Sequence, residues 1–248
     1  MFDPKTMLFT GGSGLLGSQM RRLVPEAHYP SSSQFDVTNY QQMDQYLASG
    51  QFTLLVHAAA FTSPPRVDKD PCRAIEVNII GTANVVRLCA ARGIKLVYIS
   101  TDYVFRGDKG NYCEEDPVYP VNKYAWSKLG GECAVRMYDN SLIVRTSFGP
   151  NVFPYEKAFV DQWTSRESVT QFARKLLIVL QHDLRGVIHI GGPRRTVYEY
   201  ARSLDPSREI QPLSIHDVPF KVPVDTSLCC QRAASLTAGK EKRAVPSV

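Results

Sequence analysis

Two side chains with acid–base chemistry, Tyr124 and Lys128, lie four residues apart in the stretch YAWSK. No helix-breaking residue separates them, so the spacing predicts that both lie on one face of a helix. An ammonium ~4 Å from a phenolate contributes about 4 kcal/mol at an effective dielectric of ~20, enough to lower a phenol pKa of ~10 by as much as ~3 units. We therefore expect Tyr124 to exchange protons with a ligand and Lys128 to tune its pKa.

A second pair, Tyr119 and Lys123, has the same spacing, so the spacing alone does not identify a site. Pro120 lies between these two residues and Pro117 lies just upstream. Proline disfavours a continuous helix, so this pair is expected to span a loop and a helix start and not to share a face.

Three glycines, Gly11, Gly14 and Gly17, recur at intervals of three residues in GGSGLLG. They follow the short apolar stretch 5–10 and precede a stretch with helical spacing, which predicts a turn from a strand into a helix. Backbone without Cβ atoms can approach a pyrophosphate there, and the free N–H groups of a helix N-terminus favour its charge. A tight turn with close helix packing and no ligand uses the same residues.

A third group of polar residues, Ser100, Thr101 and Asp102, lies at the end of the apolar stretch 94–100. In open α/β folds, ligands bind at the carboxyl ends of the strands, so these residues are candidates for ligand contacts. A turn that merely ends a strand is the alternative. The three features occur together in one chain, which favours the functional interpretation.

Apolar strands and amphipathic helices alternate along the chain. The alternation predicts right-handed βαβ crossovers and therefore an α/β fold, a Rossmann-type doubly wound parallel sheet with a small C-terminal substrate-binding cap. Beyond Pro150 the alternation loosens, and prolines interrupt the chain after about Asp205. We expect a Rossmann domain over 1–149, to which 169–203 returns, with the cap and tail over 150–168 and 204–248. The predicted strands are 5–10, 26–30, 52–60, 94–100, 142–145 and 187–190.

Two capping boxes are predicted from side chains that are able to bond the first turn of a helix. Thr38 precedes Gln41 by three residues, and Thr196 precedes Glu199 by three. In each case the hydroxyl accepts a hydrogen bond from the first turn and the longer side chain bonds back to the cap. We expect one helix to begin at each threonine.

Together these residues resemble the extended short-chain dehydrogenase/reductase family, and within it the dTDP-4-dehydrorhamnose reductase branch of nucleotide-sugar enzymes. The resemblance covers roughly the first 200 residues, and STDYVF followed by YxxxK is its most specific part. The matching segments are GGSGLLGS (11–18), FDVTN (35–39), VHAAAFT (56–62), VNIIGTANV (77–85), YISTDYVF (98–105), YAWSKLGGE (124–132) and IVRTSFG (143–149).

The resemblance implies an NAD(P)-binding Rossmann domain and a set of site residues. The implied catalytic set is Thr101, Tyr124, Lys128 and Asn78, in which Tyr124 protonates the substrate oxygen, Thr101 hydrogen-bonds it, Lys128 holds the nicotinamide ribose and Asn78 supports Lys128 through water. The implied substrate contacts are Thr101, Asp102, Tyr124 and Phe148. The implied cofactor contacts are Gly11, Gly14, Leu15, Leu16, Gly17, Asp36, Val37, Ala58, Ala59, Ala60, Thr62, Ser100, Tyr124 and Lys128.

One residue helps to choose the reaction. Related 4,6-dehydratases carry an Asp-Glu pair after the threonine because elimination of water needs a second acid or base, whereas Asp102 here is followed by Tyr103. The resemblance therefore implies NAD(P)H-dependent reduction of the 4-keto group of a nucleotide-linked 4-keto-6-deoxyhexose. Two alternatives stay open: an epimerase/reductase on a related nucleotide sugar, and a non-catalytic regulatory subunit that keeps the dinucleotide pocket, as the methionine adenosyltransferase beta subunit does.

The cofactor preference is predicted from the second strand. If that strand lies between Glu26 and Pro30, the serines 31–33 fall at the adenosine ribose, where no carboxylate repels a 2'-phosphate. We expect NADP(H) to bind, and NAD(H) as well.

The composition argues against three other classes of function: nucleic-acid binding, membrane insertion and metal binding. The net charge is +5 and the basic residues are scattered along the chain, so the sequence shows no basic patch that would bind nucleic acid. We find no apolar run near the roughly 18 residues of a membrane span and no signal peptide, so we expect a cytoplasmic protein without a membrane partner. The six cysteines show no metal-ligand spacing, so no metal is expected. The family resemblance implies a homodimer.

Overall fold

The computed structural model describes residues 2–218 and 222–237. Part of the predicted cap and tail, 219–221 and 238–248, lies outside these described residues. The strands are β1 (Met7–Thr10), β2 (Leu54–His57), β3 (Lys95–Ile99), β4 (Ser141–Thr146), β5 (Phe148–Gly149), β6 (Lys157–Phe159), β7 (Trp163–Thr164), β8 (Glu167–Ser168), β9 (Gly186–Ile190), β10 (Arg195–Thr196) and β11 (Gln211–Leu213).

Five of these strands form the central sheet, in the spatial order β1-β2-β3-β4-β9, and all neighbouring pairs are parallel. The fold prediction is confirmed. The second predicted strand, 26–30, is shorter than expected: it is a single parallel bridge of His28 to Leu8, with two backbone hydrogen bonds of 2.8 Å to β1. Pro25 and Pro30 flank this segment and have no N–H to extend a ladder.

Helices cover both faces of the sheet. They are α1 (Leu15–Leu23), α2 (Tyr40–Ala48), α3 (Pro64–Lys69), α4 (Pro71–Ala74), a π-helical segment (Ile75–Gly81), α5 (Thr82–Arg92), α6 (Lys123–Arg136), α7 (Val169–Leu180), α8 (Val197–Leu204) and α9 (Gln231–Thr237). Buried residues of α1 and α7, among them Met20 and Phe172, form one core. Buried residues of α2, α5 and α6, among them Met43 and Val135, form the other.

The helical run Pro71–Arg92 joins α4, the π-helical segment and α5. By length and composition it is able to span a membrane, contrary to the sequence prediction that no segment could. Half of its most apolar 18-residue stretch is buried inside the protein, where Val85, Leu88 and Cys89 pack against the sheet. The core helix of a globular protein has the same properties, so this run is weak evidence for a membrane span.

Some of the segments after β4 build a small layer beside the carboxyl edge of the sheet. β6 pairs with β11, and α8 packs on them through Tyr200 and Ala201. Within the segment 169–203, α7 and β9 join the central layers, whereas α8 belongs to this small layer. The domain boundaries at 149 and 203 remain predictions.

Only one of the two predicted helix starts is at the expected residue. Thr196 caps α8 in a complete capping box with Glu199. The prediction for Thr38 is wrong, because the cap of α2 is Asn39, whose side chain accepts from the Gln42 N–H at 3.1 Å. Thr38 instead donates its hydroxyl to Asp36 at 2.8 Å.

Candidate active site

The loops after β1, β2, β3 and β4 enclose a cleft of roughly 690 Å³ at the carboxyl edge of the sheet. Of the residues proposed from the sequence, sixteen line it: Gly11, Gly14, Leu15, Leu16, Gly17, Asp36, Val37, Ala58, Ala59, Ala60, Thr62, Ser100, Thr101, Asp102, Tyr124 and Phe148. Lys128 and Asn78 lie behind this lining. The sequence therefore places most of its candidate residues in one cleft.

The glycine turn brings backbone close to backbone at one end of the cleft. Gly11 has φ +75°, and a Cβ on Gly17 would lie 2.4 Å from the Gly11 carbonyl oxygen. Gly14 is the N-cap of α1 and supplies no side chain to bond the first turn. The first-turn N–H groups and the helix dipole therefore face the part of the cleft where Leu15 and Leu16 lie, which suits a pyrophosphate.

Beyond the glycine turn, the cleft is lined by Ser32 and Asp36. The Asp36 carboxylate accepts from the Thr38 N–H at 2.9 Å and from the Thr38 hydroxyl, so it shapes the turn before α2. Arg21, which the sequence analysis did not select, lies beside Gly12 with its guanidinium over the Tyr29 ring at 4.7 Å. This end of the cleft therefore combines hydroxyls with a nearby cation.

Tyr124 and Thr101 meet at the other part of the cleft. Asn122 caps α6, accepting from the Ala125 N–H at 2.8 Å, and this start places Tyr124 in the first helical turn on the cleft wall. The Tyr124 phenol lies near the Thr101 side chain, which partly offsets the rise in the phenol pKa. Burial, followed by the nearby Asp102 carboxylate, raises the pKa of Tyr124 well above its ordinary value. The phenol is therefore neutral at physiological pH and able to donate a proton.

The prediction that Lys128 lowers the pKa of Tyr124 is wrong in this structure. The Lys128 side chain is 3% exposed, its Nζ donates to the Ile99 carbonyl at 2.8 Å, and it lies 4.1 Å from the centre of the Tyr98 ring. Burial lowers the pKa of Lys128 itself to about 7, although Glu132 opposes the shift. The four-residue spacing predicts a fully charged ammonium facing the phenol, whereas the Lys128 ammonium is only partly charged near pH 7 and bonds the Ile99 carbonyl.

Two other predicted residues form hydrogen bonds that hold the framework of the cleft together. Asn78, in the π-helical segment, exchanges two hydrogen bonds with the Phe61 backbone, at 2.8 and 2.9 Å, and donates to the Ser127 hydroxyl at 2.9 Å. It thus fixes the loop after β2 to α6 beside Lys128. The Ser100 hydroxyl donates to the buried Glu132 carboxylate at 2.5 Å, so this cleft residue is fixed to α6.

The sequence analysis gave Asp102 as a substrate contact but did not detect its environment. Thr226 donates to one carboxylate oxygen at 2.7 Å and Thr101 to the other at 3.1 Å. Asp102 is 2% exposed, and burial raises its pKa to about 6 despite these bonds. The carboxyl therefore titrates close to neutral pH beside the Tyr124 phenol.

Arg166 also lines the cleft, next to Phe148 and Tyr103, and no pattern in the sequence pointed to it. Its Nε is 3.4 Å from the Ser147 hydroxyl. Phe148 stacks on Phe172 with ring centres 4.8 Å apart, which presents an aromatic wall at the same place. Across residues 2–218 and 222–237, no group of three or more His, Cys, Asp or Glu residues could hold a metal ion.

Comparisons with known proteins agree with this geometry. The family model described as RmlD substrate binding domain matches residues 5–222. Methionine adenosyltransferase 2 subunit beta of Rattus norvegicus is 26% identical, over 95% of this chain and 84% of that protein. The dTDP-4-dehydrorhamnose reductase of Mycobacterium tuberculosis is 29% identical, over 88% of this chain and 82% of that protein.

Two solved structures show the same fold. The hypothetical dTDP-4-dehydrorhamnose reductase from Sulfolobus tokodaii has a TM-score of 0.81 and 29% identity, covering 92% of this chain and 93% of that one. The dTDP-4-dehydrorhamnose reductase from Bacillus anthracis, in complex with NADP, has a TM-score of 0.83 and 26% identity, covering 95% and 92%. The relatives thus include reductases and a subunit named for a different enzyme.

Proposed function

Because this chain belongs to the RmlD substrate binding domain family, we propose that it reduces the 4-keto group of a nucleotide-linked 4-keto-6-deoxyhexose with NADPH. The observation that carries the proposal is that Tyr124 and Thr101 lie together on the wall of a cleft that also contains the glycine turn. A regulatory subunit needs the glycine turn but not this donor pair.

The cleft fits a nicotinamide dinucleotide. The close approach at Gly17, where a Cβ would meet the Gly11 oxygen, leaves backbone surface for a pyrophosphate beside the open first turn of α1. Ala58 and Thr62 line the middle of the cleft, and Ser32 and Asp36 line the adenosine end. When bound, the cofactor supplies the hydride that reduces the carbonyl carbon.

The residues of this chain supply the proton and the orientation. Tyr124 donates its phenolic proton to the carbonyl oxygen, and burial keeps the phenol in its protonated form before that step. Thr101 hydrogen-bonds the same oxygen. Lys128 donates to the Ile99 carbonyl behind the cleft lining, so the proposed contact with the cofactor ribose requires its Nζ to leave that carbonyl, and its role does not include a lowered phenol pKa.

The proposal includes a preference for NADPH. The nearby carboxylate, Asp36, is engaged by Thr38, whereas Ser32 and Arg21 offer a hydroxyl and a cation to a 2'-phosphate. Calorimetric titration is expected to give NADPH binding equal to or tighter than that of NADH. Strict selectivity for NADH would contradict this assignment.

The experiment for the main proposal follows NADPH oxidation at 340 nm with dTDP-4-keto-6-deoxyhexoses and their UDP and GDP counterparts. We expect turnover with at least one 4-keto sugar nucleotide and none with a 4-hydroxy sugar nucleotide. Analysis of the product by NMR separates simple reduction from reduction with inversion of a ring carbon. Absence of turnover with every 4-keto substrate would overturn the proposal.

A non-catalytic regulatory subunit is the second candidate, and the match to methionine adenosyltransferase 2 subunit beta favours it. In that case the chain binds the dinucleotide without turnover and associates with a methionine adenosyltransferase catalytic subunit. Gel filtration with such a subunit, alongside the turnover assay, separates the two functions.

We extend the proposal to a cytoplasmic homodimer in which the cap carries the nucleotide-sugar site. Trp126 and Ile80 are 54% and 50% exposed on α6 and the π-helical segment, apolar area that a second copy would cover. Sedimentation velocity is expected to give twice the mass of the chain. A monomer at all concentrations would contradict the dimer.

A further inference from the structure

We propose that Arg166 binds the diphosphate of the nucleotide-linked substrate, an inference that rests on the proposed function. Two cations line the cleft, Arg73 and Arg166. Arg73 is paired with Glu76 at 3.0 Å. Within the part of the chain that the structure describes, no carboxylate lies within ion-pair distance of Arg166. Asp102 is a carboxylate on which Arg166 acts at longer range, so the charge of this partly buried guanidinium is only partly compensated and favours an anionic ligand.

The residue is held in place from several sides. The Arg166 N–H donates to the Thr164 hydroxyl at 3.0 Å, and the Arg166 carbonyl accepts from the Arg195 guanidinium at 3.2 Å. Its Nε is directed to the Ser147 hydroxyl at 3.4 Å. The backbone and the inner end of the head group are therefore fixed, while the two terminal nitrogens remain for a ligand. A preorganised guanidinium loses less entropy when it binds phosphate.

The position of Arg166 separates it from the cofactor's own pyrophosphate. The glycine turn follows β1, whereas Ser147 follows β4, three strands away in the sheet. At about 4.8 Å per strand the two sites are roughly 14 Å apart. Arg166 acts electrostatically on Asp102 and Tyr103, next to the Thr101 and Tyr124 pair. Arg166 therefore lies beside the proposed substrate and away from the pyrophosphate of the cofactor.

The ligand class follows from the chemistry of the head group. A guanidinium presents two parallel N–H donors that match two oxygens of one phosphate, and a charge-assisted pair of this kind is stronger than a neutral hydrogen bond. A sugar alone offers only neutral hydroxyls. We therefore assign a nucleoside diphosphate, and not a free keto sugar, as the group that Arg166 recognises.

The experiment titrates dTDP, and separately thymidine, into the full-length protein saturated with NADP+. The cofactor site is then occupied, and only the substrate site is free to bind the titrant. In Arg166→Gln we expect the Kd for dTDP to rise about 10- to 100-fold, and the Kd for NADP+ to stay within about twofold. Thymidine should bind equally to both proteins. Arg166→Lys keeps the positive charge but cannot form the bidentate hydrogen bonds, so it should recover part of the dTDP affinity.

The matched control is Arg174→Gln, an arginine exposed on α7 eight residues along the chain, for which dTDP binding should not change. Unchanged NADP+ binding in Arg166→Gln shows that this variant is folded. Equal dTDP affinity in wild type and Arg166→Gln, weakened NADP+ binding instead, or no dTDP binding to the wild type would each overturn the inference.

These binding readouts do not depend on turnover. If no keto sugar is reduced but dTDP still binds through Arg166, the proposed reaction fails and the diphosphate site stands. If a keto sugar is reduced and Arg166→Gln leaves its KM unchanged, the reaction stands and the diphosphate site fails. In the expected result, KM for the nucleotide sugar rises with the Kd for dTDP while kcat changes by less than about threefold.

Discussion

Successive turns of α6 hold buried charges in opposite ways. Glu132 is fully buried and forms two hydrogen bonds with Arg145, at 2.9 and 3.1 Å, and a third with Ser100. Lys128, one turn earlier, is nearly as buried but has a carbonyl and an aromatic ring as neighbours in place of a carboxylate. The first charge is compensated, and the second has a pKa lowered to about 7.

This difference distinguishes buried charges that stabilise the fold from buried groups that are able to exchange protons. A compensated pair such as Glu132 and Arg145 fixes β4 to α6, so it serves the fold. Lys128 and Asp102, which are buried without an opposite charge at bonding distance, have pKa values near neutrality, where protons are exchanged. Perturbed groups of this kind concentrate at active sites because reactions need them there.

Breaking the compensated pair should have the largest effect on stability. Glu132→Ala leaves the Arg145 guanidinium buried without a counter-charge, and we expect the free energy of unfolding to fall by about 3–5 kcal/mol. The control is Glu76→Ala, which breaks the exposed pair with Arg73 and should cost less than about 1 kcal/mol. Urea denaturation measures both. Similar losses in the two variants would refute the distinction between the pairs.

Removing the uncompensated lysine should instead stabilise the fold. Between pH 7 and 10.5 the unfolded chain binds the Lys128 proton and the native chain does not, so the wild type gains stability as pH rises through that window. Lys128→Met removes the free-energy cost of burying this lysine. Near neutral pH we expect the free energy of unfolding to rise by about 2–3 kcal/mol, after subtraction of the lost hydrogen bond to Ile99.

The gain from Lys128→Met should be largest at pH 7 or below and should shrink towards pH 10.5. Urea denaturation at several pH values measures it. Lys123→Met, at an exposed position of the same helix, is the control and should show no such trend. A destabilised Lys128→Met with a flat pH dependence would mean that the ammonium is compensated after all.

A smaller effect should come from Thr226, a buried threonine that donates to the Asp102 carboxylate. Thr226→Val removes the hydrogen bond to Asp102, and we expect a loss of about 1–2 kcal/mol above pH 6, where the carboxylate is charged. Because the pKa of Asp102 is raised, its ionisation makes the native state less stable as pH rises from 3.8 to 6. The missing donor should raise that pKa further.

Thr146→Val is the matched control, since the Thr146 hydroxyl is buried and has no hydrogen-bond partner within the described part of the chain. Its stability should change by less than about 0.5 kcal/mol or increase. The cost of Thr226→Val should be lower at pH 5, where Asp102 is neutral. Equal costs in both variants at all pH values would show that the Asp102 contact contributes nothing.

The parts of the site that the sequence predicted are the local ones. The glycine turn and the Tyr124 position depend on spacing within one strand, turn or helix, and the structure places both in the cleft. The N-cap of α2 was missed by one residue because Thr38 and Asn39 are both good caps. Asp36 takes the Thr38 hydroxyl, which leaves Asn39 for the helix.

The remaining features depend on contacts between distant segments. Asp102 and Thr226 are 124 residues apart, and no spacing rule connects them. Arg166 follows a two-residue strand in a segment with no periodic pattern, so only its place beside the cleft distinguishes it from other arginines. The direction of the Tyr124 pKa shift depends on burial and on where the Lys128 ammonium points, and neither follows from a four-residue spacing.

The most direct test of the central claim, that Tyr124 is the proton donor of a keto reductase, measures turnover and cofactor binding in Tyr124→Phe. With dTDP-4-keto-6-deoxyhexoses as substrates, the variant should lose about 10²- to 10⁴-fold in kcat, with the Kd for NADPH within about twofold of wild type. A variant that retains wild-type turnover would contradict the account.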